Sequence, residues 1–188
     1  MICPNELKTT MITETSESVE RRLIHQRRVT CSGFARSDGT WDIEGHLIDT
    51  VTESVELVTG TIAPGEPMHE MRLCITIDLE MRIIDAQART LHGPYPVCGE
   101  INATYRSLIG LQIKPGFTQL VKRQFRDELG CTHLNELLPP MATAAFQLLL
   151  PIWAQMGKPF NMVGGCHALR FDGDIVRKYF PDQFRAPD

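Results

Sequence analysis

Alternating apolar and polar positions dominate the first half of the chain and predict β-strands. Strands over 27–36 and 40–50 flank the turn Ser37-Asp38-Gly39, in which the glycine favours a positive φ, so the two form a hairpin. Further strands are expected over 55–62, 69–78 and 82–90. Consecutive strands joined by short turns indicate an antiparallel β-meander.

After residue 90 the apolar positions change to helical spacing. We expect helices over 97–109, 117–129 and 141–156, the last with Pro139 and Pro140 near its first turn, and then a C-terminal segment over 166–180. Strands first and helices afterwards predict an α+β fold, with the C-terminal helices packed on one face of the N-terminal meander. We expect one domain over 20–188 that follows a flexible tail over 1–19.

Composition excludes several classes of partner. The 188 residues carry a net charge of −4 and contain no basic block, so nucleic acid and acidic membrane surfaces are not expected partners. No export signal or membrane-length apolar run is visible, which predicts a cytoplasmic protein with reduced cysteines. Glycine-rich phosphate-binding motifs are also absent from the sequence.

Cysteine and histidine recur where turns meet helices or strands. Cys131 and His133 open a helix, and Glu136 lies three residues after His133 on the same face, where it could orient the imidazole. Cys98 follows a turn in the same way, and His69 begins a strand after a flexible loop. Zinc and iron both accept thiolate together with imidazole. We therefore predict a zinc or iron site formed by His69, Cys98, Cys131 and His133, with Glu136 behind it.

A metal-free enzyme is an alternative that the same residues leave open. Cys131 would be the nucleophile, and its base would be His167 from the second pair, Cys166-His167, or His133. His167 is the better placed of the two, because a residue two positions along the same chain is awkwardly oriented to deprotonate Cys131. Whether the protein catalyses a reaction is not decided by these patterns.

A third alternative is an interaction module without a chemical site. Asp42, Glu44 and His46 share one polar strand face, and the helix over 141–156 is strongly apolar. Either surface could bind a partner, including a second copy of the chain as a homo-oligomer.

Several separated motifs resemble a bacterial domain-of-unknown-function (DUF) family, number 2889. They are SDGTWDIEGHLIDT, IAPGEPMHEMRL, PYPVC, GCTHLNELLPPMATAAFQ and GCHAL, and the resemblance runs from about Arg27 to Phe180. The resemblance implies no activity.

The stretch from His69 to Ala145 also resembles the NifU-type iron–sulfur cluster scaffold domain. The resemblance places His69 near the first ligand loop, Cys98 at the second cysteine, and Cys131 with His133 near the third ligand position. The first loop lacks the family's cysteine, so a mononuclear zinc or iron site is expected rather than an iron–sulfur cluster. The expected partner of such a site is a small-molecule substrate or a protein that delivers the metal.

Overall fold

The computed structural model describes residues 19–159 and 162–186, so the predicted tail lies outside the described residues apart from residue 19. Four long antiparallel strands form one sheet in the order β1-β2-β5-β6, and a small separate hairpin joins β2 to β5. The strands are β1 (His25–Ala35), β2 (Trp41–Val51), β3 (Val55–Leu57), β4 (Gly60–Ile62), β5 (Pro67–Ile77) and β6 (Ile83–His92).

The second half of the chain is helical. Its α-helices are α1 (Phe117–Gln124), α2 (Thr132–Gln155) and α3 (Asp174–Tyr179), and 3-10 helices cover Pro96–Leu108, Asp127–Leu129, His167–Leu169 and Pro181–Gln183. The long helix α2 packs against β1, β2 and β5. The α+β fold, with an antiparallel N-terminal sheet covered by C-terminal helices, is confirmed.

The core lies between the sheet and α2. Alternation turns Ile43 and Leu47 of β2 toward the helix, where they are fully buried. Gly45 lies between them, and an added Cβ there would come within 2.5 Å of Met141 Sδ. A larger residue here would have to displace the Met141 side chain, because the helix crosses β2 at close approach.

Four predicted elements differ from the structure, and one of them is the helix expected over 117–129, which ends at Gln124 before a separate 3-10 helix over Asp127–Leu129. The strand expected over 55–62 is a hairpin of two three-residue strands, and the helix expected over 97–109 is a 3-10 helix. The helix start expected at Cys131 and His133 and the helix expected over 141–156 form one continuous helix, which begins at Thr132 and continues through its prolines. Its buried stripe keeps helical spacing throughout, so packing against the sheet outweighs the lost backbone bonds; the stripe is Leu134, Leu137, Leu138, Met141, Ala145 and Leu149.

By length and composition α2 is also apolar enough to cross a membrane, because the helix is longer than its apolar run in the sequence indicates. A core helix meets the same two criteria, and six residues of α2 are buried in the protein. No membrane location follows from this helix.

Candidate functional site

Three polar side chains are aligned across the sheet beneath the start of α2. In the strand register Arg27 of β1 lies opposite Asp49 of β2, and Asp49 lies opposite His69 of β5. All three belong to the face that α2 covers. The β2–β5 pairing is irregular directly after Asp49, and such bulges commonly re-aim side chains beside functional sites.

Asp49 is the most buried polar group of this row. Its side chain is 1% exposed, and Arg27 donates two hydrogen bonds to it, from Nε to Oδ1 and from Nη2 to Oδ2, both at 2.7 Å. Burial alone would raise the pKa of Asp49, but the hydrogen bonds and charge of Arg27 outweigh it and hold the pKa below its ordinary value. The carboxylate is therefore ionised at neutral pH, although it is almost completely removed from water.

Three histidines face this carboxylate: His25 at the start of β1, whose Nε2 is 3.4 Å from Asp49 Oδ1, and the less exposed His69 and His133. His69 lies on β5 and His133 in the first turn of α2, and their rings stack with centroids 3.8 Å apart and an interplanar angle of 27°. Asp49 Oδ2 is 3.3 Å from His69 Nδ1 and 3.7 Å from His133 Nε2. The three ligand-type atoms all lie within 4.8 Å of one another.

Both imidazoles are held in the neutral form. Burial lowers the pKa of His69, and the neighbouring His133 lowers it further. Burial likewise lowers the pKa of His133, with Arg27 as the next cause. Neutral imidazole has a free ring nitrogen, which is the form that binds metal ions.

One ring nitrogen in the cluster is buried without a hydrogen bond. His69 Nδ1 has no hydrogen-bond partner among the described residues, although Asp49 Oδ2 is only 3.3 Å away. The distance permits electrostatic attraction, but the bond is not formed in acceptable geometry. Buried polar atoms are rarely left unsatisfied, so this nitrogen is available to a ligand.

Tyr105 fixes the position at which α2 begins. The buried hydroxyl accepts a hydrogen bond from the backbone N–H of Cys131 at 2.9 Å and donates one to Asn135 Oδ1 at 2.7 Å. No side chain caps the helix itself, so this hydroxyl satisfies a backbone donor at the helix start. Cys131 is thereby held with its Sγ 3.9 Å from His133 Nδ1.

A cavity of about 360 Å³ opens beside the histidines. It is lined by His69, Cys98, Cys131 and His133, so the structure brings all four predicted metal-ligand residues to one cavity. The apolar part of its wall comes from Met71, Pro94, Tyr95, Val97 and Ile101, and Glu128 is its one acidic lining residue.

Two other predicted site residues lie elsewhere. His167 begins a short 3-10 helix and is not among the residues that line the cavity. Glu136 forms an ion pair with Arg27, and the carboxylate that faces His133 is Asp49.

Sequence reasoning did not select Asp49 or Arg27 for the site. The alternation of β2 nevertheless places Asp49 on the same face as Ile43 and Leu47, and a carboxylate on an apolar strand face is an informative exception. Nothing in the sequence marks Arg27 as its partner, because the pairing depends on strand order.

Comparison with known families gives one match. The family described as "Protein of unknown function (DUF2889)" matches residues 25–147, about two thirds of the chain, and the chain belongs to this family. No curated protein and no solved structure matches it, so the resemblance to the NifU-type scaffold has no support from these comparisons.

Proposed function

We propose that this member of the DUF2889 family binds one transition-metal ion, zinc or iron, through Asp49, His69 and His133. The observation that carries the proposal is the convergence of three ligand-type atoms, within 4.8 Å of one another, in a largely buried cluster. Ligand atoms around a bound zinc lie closer together, at roughly 3.3 Å for bonds of about 2.0 Å, so binding would draw the side chains inward by small rotations.

The chemical state of each donor supports this proposal. His69 and His133 are neutral because burial lowers the pKa of both, and His69 Nδ1 has no hydrogen bond to give up. Asp49 is ionised, and its Oδ2 can use a second lone pair for a metal while it accepts the hydrogen bond from Arg27. Arg27 would act as the positioning residue that holds the carboxylate in place.

Three protein donors would leave at least one coordination position open. Zinc sites with an open position are typical of catalysis, whereas structural zinc sites are closed by four protein ligands. Two histidines and one carboxylate are likewise the ligand set of many iron(II) enzymes. The adjacent cavity would admit a small-molecule substrate to the open position, and its walls are mainly apolar.

The two cysteines of the cavity would stand beside this position. Cys131 Sγ lies on the Nδ1 side of His133, whereas the proposed ligand atom is Nε2, so the thiol does not need to be a ligand. The cobalt titration described below would show whether Cys131 or Cys98 also binds the metal. An iron–sulfur cluster is not favoured, because imidazole and carboxylate converge here.

The test is metal analysis of protein purified without added metal, followed by cobalt titration of chelator-treated protein. We expect about one equivalent of metal per chain, and a loss of affinity of more than about 100-fold in His69→Gln and in His133→Gln, since even outer groups cost 10–100-fold. His167→Gln is the matched control and should bind like the wild type. Circular dichroism would verify that each variant is folded.

The cobalt spectrum identifies the donors. With Asp49, His69 and His133 as ligands, the cobalt form lacks the intense near-ultraviolet band of thiolate coordination, and Cys131→Ser and Cys98→Ser leave the spectrum unchanged. A strong thiolate band that disappears in Cys131→Ser would replace the proposed set with the four-ligand set predicted from sequence. Less than about a third of an equivalent, with no cobalt spectrum, would refute metal binding at this site.

A second function is favoured by one further observation. Cys131 Sγ lies 3.9 Å from His133 Nδ1, while His133 Nε2 faces the buried Asp49, which is the order nucleophile, base and orienting carboxylate. In a metal-free enzyme, Cys131 would be alkylated much faster than Cys74, whose thiol has its pKa raised to about 11 by burial. Equal labelling rates of the two cysteines would exclude this alternative.

A further inference from the structure

The sheet face turned away from α2 contains a hollow of about 550 Å³. Its lining residues come from all four long strands, including Thr30 of β1, His46 of β2, Arg72 of β5 and Arg89 of β6. Antiparallel sheets often expose one face to water, so an uncovered face alone indicates no function. The arrangement of charge on this face is the informative feature.

Those four residues form a single row across the sheet. Thr30 pairs with His46, His46 with Arg72, and Arg72 with Arg89. The two arginines are therefore direct cross-strand neighbours, and like charges in this position repel each other. Within residues 19–159 and 162–186, neither arginine forms an ion pair or a side-chain hydrogen bond.

Nearby carboxylates contact other side chains, and none forms an ion pair with either arginine among the described residues. Asp42 pairs with Arg36 and accepts a hydrogen bond from Thr76. Glu70 faces His46 Nε2 at 2.9 Å and His92 Nε2 at 3.6 Å.

Glu44 lines the same hollow but forms no ion pair with either arginine in the described part of the chain. It lies in the next row, between Ser32 and Cys74 in the strand register, and Gln87 completes that row. The hydroxyl of Ser32 adds a neutral hydrogen-bond donor beside the two guanidinium groups, and Gln87 Nε2, which donates to Asp85 Oδ2 at 3.1 Å, keeps one further amide hydrogen.

We propose that this hollow binds the oxyanion group, carboxylate or phosphate, of a small molecule through Arg72 and Arg89. A planar guanidinium donates paired hydrogen bonds that match the oxygen spacing of both groups. An anion between the two arginines also removes the repulsion that the free protein carries. The site is separate from the Asp49 cluster, because Asp49 points to the opposite face of the sheet.

The test is calorimetric titration of the full chain with inorganic phosphate and, separately, with succinate, in dilute buffer at matched ionic strength. We expect saturable binding of at least one of the two, weakened more than about tenfold by Arg72→Gln and by Arg89→Gln, because each removes one paired contact. Arg123→Gln is the matched control, since Arg123 is exposed on α1 and forms no ion pair in the described chain. Glu44→Gln should tighten binding severalfold by removing the one acidic lining group.

The two anions distinguish the sources of the oxyanion: binding of phosphate alone points to a phosphorylated ligand, and binding of succinate alone points to a carboxylic acid. A second measurement uses thermal unfolding without added anion at low salt, where Arg89→Gln should raise the midpoint because the repulsion is removed. Absence of binding by both anions, or an equal loss in Arg123→Gln, would overturn the proposal. All of these side chains are exposed or line the outer face, so the variants should fold.

Discussion

The ion pair between Arg27 and Asp49 offers the sharpest test of the site's electrostatics. Asp49 is 1% exposed and Arg27 is 35% exposed, so the two partners do not respond equally to loss of the other. Arg27→Gln leaves a carboxylate buried without its counter-charge, and breaking a buried pair in this way costs about 3–5 kcal/mol of unfolding free energy. Asp49→Asn leaves a guanidinium that water reaches, so we expect a smaller cost, about 1–3 kcal/mol.

The effect of Arg27→Gln should also depend on pH. Without Arg27, the buried charge of Asp49 is relieved when its carboxyl takes up a proton, because burial raises the pKa of Asp49 once the charge and hydrogen bonds of Arg27 are gone. The deficit should therefore shrink as the pH falls. The contact of Arg27 with Glu136 adds little, because Glu136 is 54% exposed.

Urea unfolding followed by circular dichroism, with metal removed by chelation, measures both effects. The double variant Arg27→Gln/Asp49→Asn should cost less than the sum of the single variants, because the two groups are in contact. Arg28→Gln is the control: Arg28 is exposed and, within the described part of the chain, its side chain bonds only Gln26, so its loss should cost less than about 0.5 kcal/mol. A cost below about 1 kcal/mol for Arg27→Gln, or a larger cost for Asp49→Asn, would refute this reasoning.

Two further predictions concern the histidines and the contact between sheet and helix. Burial lowers the folded-state pKa of His69 and His133, so the unfolded chain takes up protons before the folded chain does. The metal-free protein should therefore lose stability as the pH falls below about 6.5. The double variant His69→Gln/His133→Gln should show a smaller loss, measured by urea unfolding at several pH values. Gly45→Ala should cost about 1–3 kcal/mol by urea unfolding, since its Cβ meets Met141 Sδ at 2.5 Å, whereas Gly99→Ala, with only a 3.7 Å contact, should have little effect.

Local sequence patterns predicted an element of the fold well where they follow a single buried face of that element. Alternation located the central strands of the main sheet, because β2 and β5 each have one buried face. The apolar stripe of α2 is visible in the sequence too, although the prolines predict a break between the helix start at Cys131 and the helix over 141–156. Proline propensity is a local cost, and it was outweighed by burial against a sheet that the local sequence does not describe.

In the candidate site, too, the sequence predicted some features and missed others. Histidine and cysteine are common metal ligands, and this predicted a site from His69, His133, Cys98 and Cys131. The structure places all four around one cavity. Whether any of them binds a metal remains a prediction.

The sequence by itself determined the fold class, the two apolar faces and the residue types that can perform chemistry. The partners of those residues were decided only by tertiary structure: strand order brings Arg27 beside Asp49 and Asp49 beside His69, and the start of α2 brings His133 above them. A strand's alternation states which face a residue occupies, but the neighbours on that face are set by pairing between distant segments. The alternation of β2 therefore places Asp49 on the apolar face, while its contacts with Arg27 and the histidines are set by the sheet and the start of α2.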